Sequence, residues 1–217
     1  MTLHQKLPPD TIEGVAIAAS PRGLQAIEGA GCAAAIWQRE PLESFLKWVE
    51  ALPAKDLPKA RIILRPHDVR HAMADLVESY GLVDCAEREM LVDDVAALAQ
   101  IFATLMDAPY LRLRLDVIST NACRKFHVDT LTARLICTYR GTGTQYGHAS
   151  EDGDPVEIHT TSTGSPMIMR GALWPTEASP EVLHRSPPIE GTGETRLVLV
   201  LDPIVDLEKA QQEQFLH

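Results

Sequence analysis

Residues 110–119, YLRLRLDVIS, alternate Leu111, Leu113, Leu115 and Val117 with Arg112, Arg114 and Asp116. Successive side chains of a strand point to opposite faces, so this period of two predicts a half-buried β-strand. The segment also marks a change along the chain. Downstream come short β-rich pieces broken by Gly, Pro and Thr: KFHVD, ARLICTYR, GTQYG, PVEIHTT, PMIMRG and TRLVLVLDP. Strands at such spacing with turn residues between them suggest a sandwich or barrel.

Upstream, the spacing is helical. In PLESFLKWVEALPA (41–54), Leu42, Phe45, Leu46 and Val49 share a helical face behind a proline suited to a first turn. DVRHAMADLVESYGL (68–82) is a second amphipathic helix, ended by Gly81, and DDVAALAQIFATLMDA (93–108) is a third. CAAAIWQRE (32–40) and RIILRP (61–66) read as short strands. Residues 1–30 are rich in Pro, Gly and Ala without a strong period, which predicts a flexible arm. The expectation is an α+β protein: an arm over 1–30, a mainly helical segment over 31–109, and a β domain over 110–217.

The 217 residues, 45% hydrophobic and 23% charged, suffice for one sizeable core. The net charge of −10 speaks against nucleic acid and anionic membrane as partners, because both need clustered Lys and Arg. Cys32, Cys85, Cys123 and Cys137 form no Cys-x-x-Cys pair, which argues against a zinc ribbon or dithiol redox site. No apolar run approaches the roughly 20 residues that span a bilayer, and no basic segment precedes an apolar run near the start. A reduced, soluble, cytoplasmic protein is expected.

His127 and Asp129 stand two apart in KFHVD, so on a strand they share a face. That geometry allows one imidazole and one carboxylate to grip an ion, or two polar residues to sit on a wet strand face. Downstream, His184 follows Val182 and Leu183 at an expected strand end. Pro187, Pro188, Gly191 and Gly193 make a turn, and Arg196 opens the last strong strand.

This order (His-x-Asp, a long gap, a distal His, then a basic residue) resembles the iron(II)- and 2-oxoglutarate-dependent dioxygenases over residues 110–203. GSPMIMRGALWP sits where that family has a strand before its distal histidine. The chain is also similar to an uncharacterised bacterial family bearing HRSPP. The resemblance implies a C-terminal double-stranded β-helix, a cupin-like barrel, with the N-terminal helices packed against it. It further implies iron(II) held by His127, Asp129 and His184, with no catalytic residue beyond these ligands. Two imidazoles and one carboxylate on one face of the metal leave three positions open, for a 2-oxo acid and dioxygen. Arg196, expected on a strand next to that of His184, would take the far carboxylate of 2-oxoglutarate through two parallel hydrogen bonds. Tyr139 would add a hydroxyl donor to the same carboxylate. The implied activity is hydroxylation of a small-molecule or protein substrate. The alternatives are a non-catalytic barrel holding zinc or iron for metal handling, since two His and an Asp suit zinc too, or a structural module.

Other groupings have plainer explanations. His67 and His71 are four apart on an expected helix, a solvated face without the Glu of a His-Glu-x-x-His site. His148, Asp152, Asp154 and His159 belong to an acidic loop that could lid the barrel mouth. Cys123 and Cys137 are expected in the core. Trp37, Trp48 and Trp174 are expected to fill packing space.

Overall fold

The computed structural model of the protein describes residues 12–151, 153–175 and 181–215. Its spine is three long neighbouring strands: β4 (Tyr110–Ile118), β5 (Ala133–Arg140) and β10 (Arg196–Ile204). β10 lies between the other two and is antiparallel to both. The period of two read from YLRLRLDVIS holds, with Leu111, Leu113 and Leu115 all buried. On the same face are Leu135 and Cys137 of β5 and Leu197, Leu199 and Leu201 of β10. All of these join one core with Met73 and Val77 of α2 (Val69–Ser79) and Leu91, Val95, Leu98 and Phe102 of α3 (Ala86–Leu105). The apolar stripe of α3 repeats at three- and four-residue steps, which is how a helix seals one face of a sheet.

Four short strands extend the spine: β1 (Val15–Ala18), β2 (Ala34–Trp37), β3 (Ala60–Leu64) and β8 (Met167–Arg170). The order is β1-β2-β8-β5-β10-β4-β3, with only β1 and β2 parallel. A second sheet contains β6 (Gln145–His148), β7 (His159–Thr160) and β9 (Val182–Arg185), ordered β7-β6-β9. Ala34 and Ile36 of β2 and Met167 and Met169 of β8 pack with Tyr146 of β6, so the two sheets face each other across a small core of their own. This is a double-stranded β-helix with helices on the outer face of its larger sheet. The two sheets do not close by hydrogen bonds into a barrel.

The boundaries expected from sequence change in three places. Residues 1–11 lie outside the described residues, but 12–30 are no loose arm. They form β1 and a 3-10 helix, Pro21–Glu28, whose Leu24 and Ile27 are fully buried in the main core. The segment 31–109 contributes α1 (Glu43–Ala51), α2 and α3, yet also places β2 and β3 in the large sheet. α3 starts seven residues before Asp93, where Glu87 and Glu89 favour a helix N-terminus. A final helix, α4 (Leu207–Phe215), follows the last strand. Among the described residues no helix is long and apolar enough to cross a membrane.

If the first segment is part of the fold, Leu24→Ala should lower unfolding stability by about 2–5 kcal/mol, the range for truncating a fully buried leucine. Urea denaturation measures this. A loss under about 0.5 kcal/mol, the scale of a surface change, would restore the arm.

Candidate metal centre

Three segments bring the candidate ligands together. His127 and Asp129 lie in the connection between β4 and β5, and His184 lies in β9. KFHVD is not a full strand. His127 alone pairs with His184 as an isolated antiparallel bridge, each backbone N–H donating to the other's carbonyl at 3.0 and 3.1 Å. That bridge brings the two imidazoles together, tilted at 45° with ring centroids 4.4 Å apart. Asp129 is fixed from the other side, where Ala172 N–H donates to its carbonyl. Gly171 permits this approach, because a Cβ there would collide with the Leu131 carbonyl oxygen.

One donor atom from each of His127, Asp129 and His184 lies within 4.8 Å of the others. His184 Nε2 is 3.2 Å from Asp129 Oδ2, and His127 Nε2 is 3.6 Å from Asp129 Oδ1. Ligand atoms about 2.1 Å from a common ion stand roughly 3–3.5 Å apart, so these separations fit chelation. His127 Nδ1 is 2.9 Å from the Lys125 carbonyl oxygen. A proton donated there leaves Nε2 with its lone pair for a metal, the usual support of a ligating histidine. Asp129 Oδ2 is buried and receives no aligned hydrogen bond. A buried carboxylate oxygen left without a donor is costly, and a cation between it and the imidazoles removes that cost.

Behind Asp129 stands a second carboxylate. Arg134 donates from Nη1 to Asp129 Oδ1 at 2.6 Å, and from Nε and Nη2 to the two oxygens of Asp202 at 2.6 and 3.0 Å. The Asp129–Arg134–Asp202 chain thus runs from the candidate ligand to buried Asp202 on β10. Burial pushes the Asp129 carboxyl up, but contact with His184 and the charges of Arg134 and His127 outweigh it and hold the group below its ordinary value. Burial likewise pulls Arg134 down, and its bonds to Asp202 and the charge of Asp129 leave it above its ordinary value.

A cavity of about 110 Å³ opens beside the histidines. His127 and His184 line it together with Arg114, Arg134, Arg196 and Cys123. Arg196 is 1% exposed, and Val198 and Val200 line the cavity with it as its strand position predicts. Its strand, however, is not hydrogen-bonded to that of His184; the two belong to facing sheets. The guanidinium donates to Thr142 O at 2.6 Å, Ser186 Oγ at 2.8 Å and Thr138 Oγ1 at 3.3 Å. It has no carboxylate within ion-pair distance among the described residues. Glu194, the acid on its own strand face, instead accepts from the backbone and hydroxyl of Thr142 at 2.6 and 3.0 Å. Burial pulls Arg196 down to about 10, against the attraction of Glu194, so it remains charged at neutral pH.

Tyr139 does not join this group. Its hydroxyl donates to Asp94 Oδ2 of α3 at 2.6 Å, and its ring meets Phe45 of α1 edge-on at 6.1 Å, both on the helix side of the sheet. β5 alternates, and the residue turned toward Arg196 is Thr138. Cys123 is also corrected: it is exposed and lines the cavity, whereas Cys137 is buried. His67 and His71 are exposed, beside Asp68 and Asp75 at 3.5 Å. Asp152 lies outside the described residues. His159 stacks on Tyr146 at 5.5 Å, and no described residue of 148–165 lines the cavity at the histidines. Arg134, Asp202, Thr138 and Ser186 were missed from the sequence. The signal for Asp202 was present: it shares strand parity with Arg196, Val198 and Val200.

The frame of the candidate site is a double-stranded β-helix in which two histidines line a cavity and an aspartate stands against them. The chain belongs to the family described as "protein of unknown function (DUF1826)", whose model matches residues 18–202. No curated protein matches it. Among solved structures, it is similar to dioxygenase for auxin oxidation 1 of Arabidopsis thaliana, determined in a binary complex with 2-oxoglutarate. The TM-score is 0.52 at 10% identity, over 91% of this chain and 94% of that one. The dioxygenase for auxin oxidation of rice follows at 0.51 and 13%, over 91% and 84%. At such identities the likeness is one of fold.

Cys123 at the cavity is exposed and Cys137 in the helix-side core is buried. Burial drives the Cys137 thiol up to about 12, so limiting iodoacetamide at mildly alkaline pH should label Cys123 first and spare Cys137. Peptide mass spectrometry reads the order, and early labelling of Cys137 would contradict the packing.

Proposed function

We propose that this protein is an iron(II)- and 2-oxoglutarate-dependent dioxygenase that hydroxylates a substrate. One observation carries the proposal. Two imidazoles line a cavity with a buried arginine that has no carboxylate of its own, and against them stands a carboxylate whose buried Oδ2 receives no aligned hydrogen bond. The fold shared with the auxin-oxidising dioxygenases supports it. The family's bearing of HRSPP belongs to the same proposal, since residues 184–188 lie within the matched span. Four unpaired cysteines support a reducing, cytoplasmic setting.

His127, Asp129 and His184 would hold the ion. Iron(II) bound there, together with 2-oxoglutarate and dioxygen, would supply the oxidising chemistry. The rest falls to the chain. Arg134, clamped by Asp202, holds the Asp129 carboxylate in orientation. Three of the five N–H donors of Arg196 are used by Thr142, Ser186 and Thr138, which leaves two for the far carboxylate of 2-oxoglutarate. Burial at that end keeps water away from the ion pair and strengthens it.

Anaerobic titration with iron(II) and then 2-oxoglutarate tests the proposal through the visible charge-transfer band of the chelate. Replacing His127 or His184 with Ala should abolish stoichiometric iron binding while circular dichroism keeps its β signature. Arg196→Ala should leave iron affinity nearly unchanged and weaken 2-oxoglutarate by about 2–5 kcal/mol, the range for truncating one partner of a buried charge pair. A parent that binds metal but no 2-oxoglutarate would sink the dioxygenase and favour a zinc- or iron-holding protein.

A further inference from the structure

The inner face of the spine carries a second arginine that the foregoing chemistry does not use. Of the arginines lining the cavity, Arg134 is held by Asp129 and Asp202 and Arg196 by three hydrogen bonds. Arg185 donates to Gln145 Oε1 at 2.8 Å and lies over the Phe126 ring at 4.3 Å. Arg114 alone makes no hydrogen bond among the described residues, and its Nε is buried without a partner. Its nearest carboxylates, Asp116 and Asp202, are each 3.8 Å away. Asp202 is already taken bidentately by Arg134, which donates to both its oxygens.

The ladder adds a further cation. In the β3–β4 pairing Arg61 stands directly opposite Arg114, and it is exposed. Burial pulls Arg114 below its ordinary value, and the charges of Arg134 and Arg61 add to that against Asp202 and Asp116. In a chain of net charge −10, this leaves a local excess of positive charge beside the candidate metal centre. A partly buried guanidinium in that position is costly unless an anion meets it.

Position separates this arginine from Arg196. In the β4–β10 register Arg196 faces Ile118 and Val200 faces Arg114. The two arginines are therefore four residues apart along the strands, about 13 Å at roughly 3.3 Å per residue. One carboxylate cannot serve both. The Arg196 end is sealed, while the Arg114 end opens toward solvent past Arg61 and Asp116, whose side chain is 38% exposed.

We propose that Arg114, assisted by Arg61, receives an oxyanion of the substrate, so that the substrate of this site is a small organic acid. The inference rests on the dioxygenase reading for the word substrate and on the arginine geometry alone for the anion. The co-substrate occupies the closed end at Arg196, and the acidic group of the molecule to be oxidised enters at the open end. A planar guanidinium matches carboxylate and phosphate alike, and the two chemistries are separated by the probes.

Calorimetry on the full chain, with and without iron(II) and 2-oxoglutarate under anaerobic conditions, uses phenylacetate, phenyl phosphate and neutral phenylacetamide. At least one anion should bind about tenfold or more tightly than the amide, as a charge-assisted contact requires. Arg114→Gln should remove that preference, Arg61→Gln should weaken it by about threefold as an exposed charge would, and Arg114→Lys should restore part of it. None of the three should move 2-oxoglutarate affinity more than about twofold, whereas Arg196→Gln should lose 2-oxoglutarate and keep the anion preference. The thermal midpoint of each variant checks folding; should Arg114→Gln unfold, Arg61→Gln and Arg114→Lys carry the comparison. Equal binding of amide and anions, or an anion preference unchanged in Arg114→Gln, overturns the proposal. Loss of the preference in Arg114→Gln in a protein that never binds 2-oxoglutarate overturns the dioxygenase and upholds the anion site.

Discussion

The strict alternation of side chains on β4, β5 and β10 governs the rest of the molecule. Each strand must satisfy two environments, because α2 and α3 cover one face and the other lines the cavity. Leucines fill the helix side, where burial of each side chain is worth about 1.5–3 kcal/mol. The other side can therefore carry arginines and aspartates inside the fold, since the leucine layer already secures the spine. A register slip of one residue would exchange the faces, driving Arg114, Arg134, Arg196 and Asp202 into the helix-side core.

Charges in that interior are arranged as a relay of partners. Asp202 holds Arg134, and Arg134 holds Asp129. Asp129 then turns Oδ2 toward His184 and Oδ1 toward His127, two histidines whose backbones are locked together. Pre-orientation of this kind would lower the entropy lost on binding an ion, as no candidate ligand would have to search for its rotamer. Arg196 is fixed in the same manner by neutral oxygen atoms from Thr138, Thr142 and Ser186. They hold its direction without neutralising its charge.

Much of this was legible in the chain. The spacing His127-x-Asp129 and His184 named three side chains whose donor atoms lie within 4.8 Å of one another, Arg196 lines the cavity with the two histidines, and YLRLRLDVIS named the spine. Tyr139 was misplaced although parity with Leu135 and Cys137 would have sent it to the helix side, where Asp94 accepts from its hydroxyl. The Arg134–Asp202 pair was harder to see, since it depends on the register that sets Leu135 against Leu201. The division into arm, helices and β domain did not foresee that β2 and β3, read as short strands, join the large sheet, because their partners β8 and β4 are distant in sequence. β1, four residues long, carries too few alternations to reveal a period.

The hydrogen-bonded bridge between His127 and His184 also bears on the order of events during synthesis. His127 leaves the ribosome well before β9 exists, so until then the candidate centre has one imidazole and one carboxylate of its three donors. Domains fold as units once their long-range partners are made. The third candidate donor and the bridge that aims it therefore arrive together, late, in a nearly completed molecule.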